Sequence, residues 1–153
     1  MVTERDPTSM VSVPHARSSV GTIRHVLADE LQASGVAPRV LEDAILVLSE
    51  LVSNAIKHAS PLPGGEITIR WVIRPDCLHL EITDGGAITR PRAGAAAASA
   101  IGGRGLDIVR RVCSQWGVTE DDTSVTVWAD LPRPTTQSTR SIRLPESTSS
   151  ARH

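Results

Sequence analysis

Residues 48–58 read Leu48-Ser49-Glu50-Leu51-Val52-Ser53-Asn54-Ala55-Ile56-Lys57-His58. They close a longer run, from about Pro38 to Ala59, in which Leu41, Ala44, Ile45, Leu48, Val52, Ala55, Ile56 and Ala59 fall at helical spacing. The run predicts a long helix with one broad apolar face. Pro38 suits its first turn, and Pro61, Pro63 and the Gly64-Gly65 pair end it. Glu50 and Asn54 are four residues apart and share a helix face, with Lys57 beside them. That face lies opposite the main apolar stripe, as a solvated surface would. Leu46 and Val47 stand on the same side one turn earlier, which argues against a simply wet face.

Upstream, Ala16 to Ser34 reads as a helix with Val20, Ile23, Leu27 and Leu31 along one stripe, and Gly35 is its stop. Residues 1–14 read as a frayed end or a short edge strand. Downstream the period changes to two. Ile67, Ile69, Trp71 and Ile73 alternate with Thr68, Arg70, Val72 and Arg74; Leu78, Leu80 and Ile82 alternate with His79, Glu81 and Thr83. Arg74-Pro75-Asp76 between them predicts a hairpin. Residues 85–103, rich in Gly, Ala and Pro, read as a loop in which Ala95–Ala98 could form a helical turn. Gly105 to Gln115 reads as a short helix, with a strand expected around Trp116–Thr119. Val125, Val127, Ala129 and Leu131 then alternate with Ser124, Thr126, Trp128 and Asp130 up to Pro132. The remainder to His153 is rich in Ser, Thr, Pro and Arg and reads as disordered.

Strands with one apolar face each need cover on one side only. The expected fold is therefore α+β: a two-layer sandwich of a mixed, mainly antiparallel sheet with helices on one face. The expected organisation is an N-terminal segment over 1–15, one domain over 16–131 and a tail over 132–153.

Composition narrows the function. The 153 residues are 40% apolar, enough for a core at this size, with no Phe or Tyr and only Trp71, Trp116 and Trp128 as aromatic residues of the core-forming kind. The formal net charge of −1 gives no global field toward nucleic acid or an anionic membrane. No basic run is interleaved with stacking aromatics, so a nucleic-acid partner is not expected. No stretch of roughly 18 apolar residues could span a bilayer. Cys77 and Cys113 lack metal-ligand spacing and read as two reduced thiols of a cytoplasmic protein.

Three segments could carry chemistry. In the long helix, the oxygen of Asn54 could ligate Mg²⁺, which takes few protein ligands beside phosphate and water. Glu50, one turn away, could serve as a general base. At the end of a strand, Thr83-Asp84-Gly85-Gly86 is either an ordinary turn or an acceptor for an exocyclic amine, with glycines allowing close approach. Gly102-Gly103-Arg104-Gly105, directly before Leu106-Asp107-Ile108, is either a linker or a helix start that presents N–H groups to an anion. It lacks the third glycine and preceding strand of a dinucleotide fingerprint, and no Walker A sequence occurs.

The order of these segments is more specific than any one of them. Taken together, residues 16–131 resemble the ATPase superfamily of gyrase, heat-shock chaperone, histidine kinase and mismatch-repair proteins, the Bergerat fold. More closely, they resemble the stand-alone ATPase domains related to anti-sigma-factor serine kinases, of the actinobacterial type. Leu48-Ser49-Glu50-Leu51-Val52-Ser53-Asn54-Ala55 and Gly102-Gly103-Arg104-Gly105-Leu106 carry the resemblance most strongly.

That resemblance implies ATP and Mg²⁺ as cofactors. Asn54 would bind the metal and Glu50 would be the general base. Asp84 would hold the adenine amino group, with Thr126 assisting and Gly86 beneath the base. Gly103, Arg104, Gly105 and Leu106 would meet the phosphates, and residues 87–102 would form a lid. Lys57 and His58 match the pattern around Asn54. The superfamily's Asp-x-Gly-x-Gly reads Asp84-Gly85-Gly86-Ala87-Ile88 here, so Ile88 stands in place of its second glycine. Neither His15 nor His25 is followed by the acidic residue expected of a phosphoacceptor helix, so autophosphorylation on such a histidine is not expected. The expected function is an ATP-dependent bacterial regulator that binds a sigma factor or its antagonist and phosphorylates Ser or Thr on the antagonist, with a homodimer possible. The alternatives are a non-catalytic ATP sensor and a degenerate interaction module that has lost nucleotide.

Overall fold

A computed structural model of the chain describes residues 6–86 and 104–134. The elements run β1 (Thr8–Pro14), α1 (Ser19–Ala33), α2 (Pro38–His58), β2 (Glu66–Ile73), β3 (Cys77–Asp84), α3 (Arg104–Val112), β4 (Gln115–Glu120) and β5 (Val125–Pro132). The strands form one sheet in the order β1-β2-β3-β5-β4. Every pairing among the described strands is antiparallel, so the sheet is not mixed. The helices lie on one face, giving the expected two layers.

Local chemistry sets the boundaries. The end of α1 is a Schellman motif: Val36 N–H bonds the carbonyl of Leu31 at 3.0 Å and Gly35 N–H bonds that of Gln32 at 3.1 Å. Gly35 has φ +77°, which an L side chain resists. Leu31 and Val36 are both buried, the apolar contact that accompanies this motif. Pro38 opens α2, where a missing N–H costs nothing. Gly64 and Gly65, at φ +97° and +80°, turn the chain into β2.

The N-terminal segment is an edge strand. It pairs along β2 from Thr8 opposite Val72 to Pro14 opposite Glu66, and Val13 is buried in the core. The sheet thus begins before residue 16. In β3 the alternation is strict: Leu78, Leu80, Ile82 and Asp84 are buried, while the residues between them are half-exposed. Trp71 is fully buried among Ile23, Leu27, Leu48, Ile69 and Leu80 in an otherwise aliphatic core. Such side chains contribute about 1.5–3 kcal/mol each, and Leu48→Ala would cost about 2–5 kcal/mol.

The buried arc of α2 differs from the expected stripe. Val40, Val47 and Leu51 are buried, whereas Leu41, Ile45 and Ile56 are only partly so. α2 packs against α1 and α3 as well as against β3 and β5, so more than one stripe of it is buried. No helix among the described residues is long and apolar enough to cross a membrane. Cys77 and Cys113 form no disulfide, and burial pushes both thiols up, Cys113 to about 12. Neither is poised as a nucleophile.

Candidate functional site

Asp84 ends β3 on the helix-facing side, and with Ser19 it is one of two buried polar residues among those described. Desolvation raises its carboxyl from 3.8 to about 6, against the opposing pull of the Gly86 N–H and of His15. Its Oδ1 accepts that N–H at 2.8 Å. It makes no ion pair among the described residues. A buried acceptor of this kind is costly unless something donates to it.

The two glycines after it answer different demands. A Cβ on Gly85 would stand 2.3 Å from the carbonyl oxygen of Pro61. The exit of α2 is therefore pressed against the exit of β3. Two backbone bonds hold the joint: Gly85 N–H to Ser60 O at 2.7 Å, and Ser60 N–H to Gly86 O at 2.8 Å. Gly86 has φ +97° and faces Val125, whose Cγ2 lies 3.6 Å from the position a Cβ would take.

Glu50 and Asn54 are half-buried on α2, and Lys57 and His58 are exposed. The polar face is not opposite the buried arc but at its border. Asp43, Val47, Glu50 and Asn54 form one helical stripe. The Asp43 charge raises Cys113, just beyond the end of α3, and α3 packs against α2. Arg104, Gly105 and Leu106 form the first turn of α3. Gly103 and the 87–102 segment, with the Ala95–Ala98 run, lie outside the described residues.

The structure separates Thr126 from Asp84. Thr126 pairs with Thr83 and its hydroxyl lies 2.8 Å from the Thr83 hydroxyl, on the outer face of the sheet. That face also carries His79 stacked on Trp128, with His79 between Asp130 at 2.6 Å and Glu81 at 2.8 Å. Asp84 has the opposite parity, and the residue opposite it in β5 is Val125. A one-residue offset in a strand exchanges faces. The β5 side chain beside Asp84 is thus Val125, not Thr126. The β4–β5 turn before it is held by Asp121, whose Oδ1 accepts the N–H groups of Thr123 at 2.9 Å and Ser124 at 2.8 Å. Those bonds keep the Asp121 carboxyl below the usual range.

Val125, which pairs with Asp84, and His15, which bonds the end of α2, were not among the expected site residues. Pairing parity with Asp84 would have pointed to the first. Nothing local marks the second, because its partners lie 40 and 44 residues away.

The family profile described as a histidine kinase-like ATPase domain matches residues 13–130. Two proteins named serine-protein kinase RsbW, from Listeria monocytogenes serotype 4a (strain HCC23) and serotype 4b (strain F2365), are each 33% identical over 69 residues, covering 40% of this chain and 44% of theirs. The chain thus spans less than half the length of these curated relatives. A solved structure of the RsbU and RsbW domains of Rv1364c from Mycobacterium tuberculosis superposes with a TM-score of 0.64 at 17% identity, over 84% of this chain and 34% of that one. At that identity the likeness concerns the fold.

Proposed function

Because the chain belongs to the histidine kinase-like ATPase domain family, we propose that it binds ATP and acts as an anti-sigma-type regulator. In this reading it phosphorylates Ser or Thr on an antagonist protein. The observation that carries the reading is Asp84: a buried carboxylate, followed by two glycines, on the same side of the sheet as α2 and its Glu50–Asn54 edge. The residues fit a purine base. An ionised carboxylate only accepts, so it pairs with the exocyclic amine of adenine and repels the oxygen that guanine carries there. Gly85 and Gly86 add no side chain to the corner, and Val125 offers an apolar wall.

Asn54 would hold Mg²⁺, and Glu50 would take the proton from the attacking hydroxyl. Bound Mg²⁺-ATP would supply the phosphoryl group and neutralise its charge. The first-turn amides of Arg104, Gly105 and Leu106, with Gly103, would face the phosphates. Lys57 would add positive charge at the same end of α2. The sequence similarity to serine-protein kinases supports the reaction type. The reading takes residues 16–131, with the edge strand β1 before them, as the ATPase unit. It places the protein in a bacterial cytoplasm with a sigma factor or antagonist as partner, and a homodimer as one assembly to test.

Labelled ATP and candidate antagonists test the transfer. Wild type should give a phosphoprotein, while Glu50→Ala should bind ATP and give none. A second reading, ATP sensing without transfer, draws on Ile88 in place of a glycine. In that case Glu50→Ala would regulate as wild type does.

A further inference from the structure

We propose that His15 is a positioning residue for the nucleotide site: its Nε2–H fastens the last turn of α2 where Ser60 can pair with Gly85 and Gly86 behind Asp84. This rests on the ATP reading above. His15 Nε2 lies 2.8 Å from the carbonyl oxygen of Ala59 and 3.2 Å from that of Ala55. Carbonyls only accept, so Nε2 carries the proton.

Ala59 has extended backbone, so the helix stops there and its carbonyl needs a partner from elsewhere. Of the four residues that follow, Pro61 and Pro63 have no N–H. Ser60 N–H goes to Gly86 and Leu62 N–H goes to Glu66, at 2.8 Å each. No backbone donor in that stretch is left for Ala59, and an unmet buried carbonyl is costly. The imidazole fills the gap from the β1–α1 corner.

That corner is itself fixed. His15 N–H bonds Gly65 O at 2.9 Å, and the Pro14 carbonyl accepts both Ser19 Oγ at 2.6 Å and Ala16 N–H at 2.8 Å. A contact path therefore runs from His15 through Ala59 and Ser60 to Gly85, Gly86 and the Asp84 carboxylate.

The test compares wild type, His15→Leu and His15→Gln in the full chain. Leu keeps bulk without a donor, whereas Gln restores an N–H of similar reach. ATP and GTP affinities are measured by titration, and amide exchange at Ser60 and Gly85 is followed without nucleotide. His15→Leu is expected to weaken ATP binding about three- to tenfold, the worth of one hydrogen bond, to narrow the preference for ATP over GTP, and to speed exchange at both amides. His15→Gln is expected to return all three to within about twofold of wild type. A merely structural role would lower the melting temperature of His15→Leu and leave the ATP-to-GTP ratio alone, which overturns the proposal, as does a Gln variant no better than Leu. The two failures are distinguishable. Wild type that takes up no ATP removes the nucleotide reading and this role with it. ATP binding by wild type that His15→Leu leaves unchanged removes the role alone.

Discussion

Gly85 donates its N–H to the carbonyl of Ser60 across 2.7 Å, and this bond ties the end of α2 to the end of β3. The helix that carries Glu50 and Asn54 and the strand that carries Asp84 are thereby held at one corner. The contact is close enough to exclude a side chain, since a Cβ would reach 2.3 Å from the Pro61 oxygen. The atoms it would meet, on Pro61 and Ser60, belong to backbone and do not yield easily.

Gly85→Ala is therefore expected to destabilise the fold by about 1–3 kcal/mol, the usual cost of overpacking. Gly86→Ala meets only ordinary contact but keeps φ +97°, and should cost about 1–3 kcal/mol through backbone strain. Chemical denaturation of the two variants would check both values. A Gly85→Ala protein as stable as wild type would mean the joint is loose.

Asp84 makes stability depend on pH in an unusual direction. Burial raises its carboxyl from 3.8 to about 6, so between those values the folded chain holds more protons than the unfolded one. Stability then falls as pH rises through that window, by about 3 kcal/mol once Asp84 is fully ionised. Asp84→Asn removes the ionisation, and its carboxamide oxygen still accepts the Gly86 N–H. At pH 8 the nucleotide-free variant should be more stable by about 1–3 kcal/mol, with the gain gone at pH 4. Its ATP affinity should fall by about 1–3 kcal/mol, because one carboxamide orientation presents a donor where an acceptor is needed. A variant that loses stability at pH 8 would contradict the burial account.

Thr126 and Val125 offer a test of the face assignment. Thr126→Val loses the bond to Thr83 and should cost about 1 kcal/mol of stability with ATP affinity within about twofold of wild type. Val125→Asp sets a second carboxylate opposite Asp84 and should weaken ATP binding by at least about tenfold. The reverse ranking, measured by nucleotide titration, would put Thr126 back beside the base.

Much of this was legible in the sequence because local chemistry and packing agree. The alternation through Ile67–Ile73, Leu78–Ile82 and Val125–Leu131 gave the three central strands, and Gly35 and Pro38 bracketed the first helix–helix turn. β1 was half-legible, since only Val11 and Val13 show an inward apolar alternation between Pro7 and Pro14. The arc of α2 was misplaced because burial of Val47 and Leu51 depends on which elements pack around the helix, a fact no helical periodicity contains. Thr126 was drawn to the site by resemblance, and only the register with Thr83 shows which way it points. His15 acts across 44 residues of chain on Ala59, so no local pattern could announce it.

Titration of the purified protein with ATP, with and without Mg²⁺, beside Asn54→Ala, tests the central claim most directly. The account predicts that wild type binds ATP, that Mg²⁺ strengthens the binding, and that Asn54→Ala remains folded but loses that gain. A folded wild-type protein that takes up no ATP under either condition would contradict it.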